Sequence, residues 1–417
     1  MNVLFLLIKY LIIKSNCLEI PFESKRTLTS KLSLSELYDI NLYTKIEIGN
    51  NNQKLEIPIK LNKYLTYITS SQNINLTCLK FNENSSLTYE RLEKEIFNSK
   101  DDDFISGYKS KDNIKLGNQQ IKNFKFYLSN YQKINESGTL GLKVQPIYEE
   151  STKVKEIGII NQLKKENIIS SYNYYIKFEK TNKLDEYKGK IIIGMLPHEN
   201  EPKLFKGLKY VNSSISDNFI NTTWKIYINC YYDNKTFYQQ SYGIISSTFG
   251  LIIAPYILKK KFDDIFFFKY NCNEEFNGEF YYFYCNDDIE NFKDLFIESI
   301  FKGINFTLNY KDLFYKIDKK YYFLILFKED IFIWEFGLVF LYKYTLVFNS
   351  DSKTIGYYYP SFDENKNDNI VLYIILIISF LVIILLLIII FYLLSLKKRR
   401  LRANELDDQY DYFSKIN

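Results

Sequence analysis

From Ile370 to Leu396 the chain runs through 27 consecutive residues without a charged side chain. A helix of that length spans about 40 Å against about 30 Å of bilayer hydrocarbon, so the run can cross a membrane with some tilt. Lys397-Lys398-Arg399-Arg400 follows at once, and the positive-inside bias places residues 397–417 in the cytoplasm as a short tail. Everything before the span is then lumenal or extracellular. The expected topology is a single-pass type I membrane protein, on either the plasma membrane or an internal one.

The other end fits that orientation. Val3 to Ile13 are mostly apolar apart from Lys9 and lead into Lys14-Ser15-Asn16-Cys17, the pattern of a cleaved secretory leader over residues 1–17. Seven Asn-x-Ser/Thr acceptors, Asn75, Asn84, Asn135, Asn212, Asn221, Asn234 and Asn305, all fall between leader and span and none in the tail, as expected of a glycoprotein. The formal charge of +5 includes Lys9 and Lys14 of the leader and a tail of six basic and four acidic residues. The stretch between is near neutral, which excludes the electrostatic footprint of a nucleic-acid partner. With His198 as the only histidine, a His-ligated metal centre is excluded too, and no cofactor is implied. Five cysteines in an oxidising compartment suggest one or two disulfides. Cys272 and Cys285 are the expected pair, whereas Cys78 and Cys230 have no spacing that makes them partners.

Between leader and span the pattern is strand after short strand. IKLGNQQIKNFKFYLS, YKGKIIIGML, WKIYINCYYDNKTFYQQ and YTLVFNSDSKTIGYYYP are β-branched and aromatic runs broken by Gly, Asn and Asp turns. Helices are expected only within KVKEIGIINQLKKENII, over Phe262 to Phe268 and over Asn291 to Glu298.

The order of these segments resembles the pepsin-like aspartic proteases (peptidase A1) from about Leu42 to Tyr358. YTKIEIGNNNQKLEIPIKL, with Ile48, Gly49 and Gln53, is similar to the family's strand into the first catalytic loop, and SGTLGL, residues 137–142, to the strand that closes that site. Trp224-Lys225-Ile226 looks like the opening of the second lobe. GIISSTFGLIIAP, residues 243–255, looks like its catalytic loop, and Trp334, Gly337, Phe340, Tyr344, Val347, Phe348 and Gly356 fall at the spacing of the last signature. The resemblance implies a mainly β, two-lobed pepsin-like acid protease fold plus one C-terminal transmembrane helix. Its parts would be an N-terminal segment or vestigial propeptide over 18–40, lobes over 41–200 and 201–362, and the span over 370–396.

In that family each lobe supplies one Asp. Two carboxylates a few ångströms apart share a proton, so one activates water while the other polarises the scissile carbonyl. Counted from Gln53, the first Asp position falls on Lys60; counted from Ala254-Pro255, the second falls on Ser246. No Asp in the chain precedes Thr-Gly or Ser-Gly. In the flap region the tyrosine position falls on Lys100 and the tip on Asp101, Asp102 and Asp103, a charged run more usual in a solvated turn than over an apolar peptide. A Ser246 nucleophile would need a base, and a desolvated Lys60 is the one candidate. The residues therefore argue against peptide hydrolysis and for a pseudoprotease that binds a peptide or protein in its interlobe groove. The alternatives are an active aspartic endopeptidase with a misplaced dyad and a surface coat or adhesion glycoprotein.

Overall fold

The computed structural model describes residues 17–360 apart from 26–32, 94–96, 100–104, 133, 144–157, 182–185, 207, 215–223, 233–234, 271, 287 and 302–303. The leader up to Asn16, the apolar run 370–396, the tail, Lys100 to Asp103, Asn221 and Asn234 lie outside the described residues. Among those described, no helix is long and apolar enough to cross a membrane.

The chain is mainly β, and the strands form where side chains alternate. In Asn41–Ile48 the residues Leu42, Thr44, Ile46 and Ile48 are buried while Lys45 between them is exposed, the two-residue period of a half-buried strand. Gly49, at φ 80°, and Asn52, at φ 52°, turn that strand back into Gln53–Lys60, because both residue types tolerate the left-handed region. Each fully buried Ile or Leu on such a face contributes roughly 1.5–3 kcal/mol relative to exposure.

The two halves repeat one pairing scheme. In the first, Gln53–Lys60 runs parallel to Gly138–Gly141, which is antiparallel to Tyr67–Thr69, which in turn is parallel to Gln119–Tyr131. In the second, Lys235–Ile245 runs parallel to Trp334–Phe336, which is antiparallel to Ile252–Pro255, which is parallel to Ile325–Lys328. The sheet order parallel, antiparallel, parallel thus occurs twice. Lys60, the last residue of the first strand in one half, and Ser246, the residue directly after the first strand in the other, stand at corresponding places in it.

A shared sheet joins the halves. Its strands run in the order Leu208–Ser214, Thr354–Pro360, Val347–Asn349, Asn173–Phe178, Lys188–Ile193, Leu18–Lys25, Asn41–Ile48, Gln53–Lys60, so segments from the start, middle and end of the chain lie side by side. Residues 18–40 supply a strand of this sheet and the helix Leu34–Tyr38, whose capping box pairs Ser33 with Glu36. That helix is anchored on the second half: Gly250 N–H donates to Tyr38 O at 2.9 Å, and the Tyr38 ring stacks on Phe249. A Cβ on Gly250 would lie 1.9 Å from Leu37 O, so the close approach requires glycine there.

Two of the three helical segments form near their expected places, as Ile159–Lys165 and Ile257–Ile265, the latter followed by a 3-10 turn at Phe267–Lys269. Asn291 to Glu298 does not form a helix. After a short 3-10 turn at Ile289–Phe292 it becomes the strand Leu295–Phe301, held between Lys225–Tyr232 and Ile304–Asn309. Two strand partners override an ambiguous local pattern.

Candidate functional site

Each corresponding loop is formed by a strand end pressed against a glycine. Lys60 O accepts from Leu142 N–H at 2.9 Å, and neighbouring Gly141 lies where a Cβ would meet Leu65 O at 2.5 Å and Lys63 O at 2.7 Å. In the other half Ser246 N–H donates to Phe336 O at 2.9 Å, and a Cβ on neighbouring Gly337 would meet Leu251 O at 2.2 Å and Phe249 O at 2.5 Å. The two glycines play one steric role in the two copies of the scheme: they let the loop backbone pass directly against the end of the second strand.

A hydroxyl ties these loops to each other. Ser247 Oγ donates to Ile59 O at 2.9 Å and accepts from Leu61 N–H at 3.0 Å, with Ser247 completely buried. The residue after Ser246 thus holds the residues on either side of Lys60. The reciprocal bond has no donor, because Leu61 occupies the corresponding place with an apolar side chain. Buried bonds of this kind cost little to keep and about 1–3 kcal/mol to orphan.

The side chains of Lys60 and Ser246 have other partners. Lys60, 5% exposed, directs its ammonium to Glu136 Oε2 at 2.8 Å. The same carboxylate oxygen accepts from Tyr67 Oη at 3.3 Å, and Thr69 Oγ1 and Gln132 Nε2 donate to the Glu136 carbonyl, each at 2.6 Å. A buried cation is tolerable only when so paired. Ser246 Oγ lies 2.8 Å from Thr248 Oγ1 and accepts from Thr248 N–H at 3.2 Å, closing a local turn of its own. The serine hydroxyl therefore faces a second hydroxyl, not a base, and the lysine faces a carboxylate, not a serine. Neither loop, Lys60 to Thr66 or Ser246 to Leu251, contains an Asp or Glu. Tyrosines nearby stay phenolic: burial pushes Tyr64 and Tyr43 up to about 12, the second helped by the Glu136 charge.

The remaining candidates are scattered. The flap positions Lys100 and Asp101 to Asp103 fall outside the described residues, but the arms beside them pair as a hairpin, Phe97 with Gly107 and Ser99 with Ile105. Cys272 and Cys285 sit opposite each other in adjacent strands and form a disulfide. Cys78 and Cys230 are free, and burial pushes the Cys230 thiol well above its usual range. Asn75 is exposed in a loop and Asn84 is exposed in the short 3-10 turn Glu83–Ser85. Asn135 is tied down, its Oδ1 accepting from Thr77 and Cys78 N–H and its Nδ2 donating to Thr77 Oγ1 at 2.8 Å. Asn212 and Asn305 belong to the strands Leu208–Ser214 and Ile304–Asn309. His198 is on the surface, its Nδ1 2.7 Å from Tyr358 Oη. No group of three metal-ligating side chains occurs among the described residues.

Two residues at the centre were not singled out from the sequence. Glu136 gave no signal beyond preceding the Ser137 to Leu142 block. Ser247 did carry one, a hydroxyl residue directly after Ser246 in the GIISSTFGLIIAP block.

A search of curated proteins returned no match. The model of the family described as eukaryotic aspartyl protease matches residues 41–358, the whole of the repeated β scheme together with both loops, and the chain belongs to that family.

Proposed function

We propose that this protein is a single-pass type I membrane protein whose aspartyl-protease ectodomain is a pseudoprotease, binding an extended peptide or protein segment between its lobes without cleaving it. One observation carries the reading: the Ser247 bonds frame Lys60 and Ser246 at the corresponding ends of the two copies of the strand scheme, where the family's reaction needs two carboxylates. Water attack on an amide requires a base for the water proton and an acid for the carbonyl oxygen. Here the first position holds an ammonium engaged by Glu136 and the second a hydroxyl engaged by Thr248. Neither can take up the water proton. Retention of the bonded loops without the dyad supports a role in which lobe geometry matters and chemistry does not, and an extended ligand would add backbone bonds along the groove.

The uncharged run 370–396, the basic cluster after it and the glycosylation acceptors before it support the membrane placement. The test is binding of the full-length protein, in detergent or nanodiscs, to a library of fluorescent unstructured peptides, followed by mass spectrometry of the recovered peptide. Reversible anisotropy changes with intact peptide are expected. Recovery of cut peptide would replace this reading with that of an active endopeptidase, and absence of binding to any member would leave a coat or adhesion glycoprotein.

A further inference from the structure

The stretch CNEEFNGEFYYFYC, residues 272–285, holds the chain's only Asn-Gly step, Asn277-Gly278. It lies at the tip of a hairpin. Strands Cys272–Phe276 and Tyr281–Cys285 pair without a break from Cys272 opposite Cys285 to Phe276 opposite Tyr281, and the disulfide closes the far end. Phe276 and Tyr281 pack their rings at 4.5 Å beside the turn, and Phe280, buried directly after it, packs on Tyr38 at 4.7 Å. The turn is thereby held in one shape.

That shape activates the asparagine side chain. Asn277 Oδ1 accepts from Phe280 N–H at 2.8 Å and from Glu279 N–H at 3.1 Å, while Asn277 N–H donates to Phe280 O at 3.2 Å. Two backbone donors on one carboxamide oxygen withdraw electrons from Cγ and stabilise the oxyanion that forms when a nucleophile adds there. The nucleophile next to it is the Gly278 nitrogen. Gly278 is exposed at φ 97°, a Cβ built on it would meet nothing within 4 Å, and its N–H makes no hydrogen bond among the described residues. A nitrogen one residue on from a side-chain carbonyl closes a five-membered ring, so the step is unimolecular and already positioned.

We infer that Asn277 is a self-modification site, converted in the folded protein to aspartate and isoaspartate. Solvent base removes the Gly278 amide proton, the nitrogen bonds to Cγ, and the Cγ–Nδ2 bond breaks with release of ammonia. The product is a cyclic imide across residues 277 and 278. Water, the one co-reactant, then adds to either imide carbonyl. Opening on the Cγ side leaves aspartate; opening on the main-chain side leaves isoaspartate, with the backbone running through the side-chain carbons.

Either product adds a negative charge to a turn whose acids are already engaged, Glu274 with Lys259, Glu275 with Tyr282 and Glu279 with Lys328. Aspartate keeps an acceptor for the two N–H groups, whereas isoaspartate lengthens the backbone at the tip. Phe280 packs on Tyr38 and Tyr38 stacks on Phe249, so the lengthened form strains packing beside the loop that follows Ser246.

The test incubates the full-length protein in detergent at pH 8 and 37 °C and follows the tryptic peptide spanning Asn277 by fragment mass spectrometry, with isoaspartate methyltransferase labelling the isomer. Conversion at Asn277 is expected to exceed that at Asn273, Asn286 and Asn291, whose next residues carry side chains, by roughly tenfold or more. Both isomers are expected, at a rate in the folded protein no lower than in the same chain unfolded in urea. Asn277→Gln, which would have to close a larger ring, is expected to show no conversion at 277. Conversion at 277 no greater than at the other three asparagines would overturn the site. A slower rate folded than unfolded would overturn the assistance by the turn, and aspartate without isoaspartate would overturn the imide route.

Discussion

The pair formed by Lys60 and Glu136 gives the sharpest handle on how the first of the two loops is held together. Both side chains are largely withdrawn from water, 7% and 12% exposed, at 2.8 Å separation. Replacing Glu136 with Leu leaves a buried ammonium without a counter-charge, a change that costs about 3–5 kcal/mol. Replacing Lys60 with Met leaves a carboxylate that still accepts from Tyr67 Oη at 3.3 Å, so its cost should lie near the lower end, about 3 kcal/mol. The double substitution removes both charges and puts similar apolar volume in their place, and should fall within about 1 kcal/mol of the parent protein. Urea unfolding followed by tryptophan fluorescence measures all three, since Trp224 and Trp334 are both fully buried. Trp224 also reports locally, because its Nε1–H donates to Leu142 O while Leu142 N–H donates to Lys60 O. The expected result is a coupling energy of about 3 kcal/mol or more between the two sites. Simple additivity of the two single losses in the double variant would refute the buried pair.

Further outcomes follow from the same geometry. Ser247→Ala removes both bonds across the loops and orphans Ile59 O and Leu61 N–H, so it should cost about 2–3 kcal/mol in the same unfolding assay, whereas Ser247→Thr should cost much less. Gly250→Ala should release the helix Leu34–Tyr38, seen as faster hydrogen exchange over residues 34–40. Burial pushes the Tyr43, Tyr64, Tyr127 and Tyr358 phenols from 10.0 up to about 12. Unfolded phenols ionise first, so thermal stability should be full below pH 10 and fall between pH 10 and 12, with phenolate absorbance rising together with unfolding. Enzymatic deglycosylation with isotope labelling should find glycans at Asn75 and Asn84 but little at Asn135, whose amide is bonded on both sides to the loop at Thr77.

The architecture was legible because the fold depends on features that leave local marks. Gln53, Gly49, the Ala254-Pro255 exit and the Trp334 block each fix a turn or a strand end, so counting from them reached the two loops that Ser247 joins. The disulfide was legible because twelve intervening residues suit a pair of neighbouring strands. What pairs with Lys60 was not, since Glu136 lies 76 residues away and only the parallel pairing of Gln53–Lys60 with Gly138–Gly141 brings them together. Asn291 to Glu298 reads as helical because Phe, Leu and Ile there fit either period, and its second half joins the strand Leu295–Phe301 because strands Lys225–Tyr232 and Ile304–Asn309 pair on its two sides.

The most direct test of the central claim is turnover. The full-length protein, incubated with an unfolded protein substrate from pH 3 to 7 beside an active family member as control, should yield no new peptide ends by mass spectrometry at any pH. Cleavage that a statine-type inhibitor abolishes, and that Lys60→Met and Ser246→Ala variants lose, would contradict it.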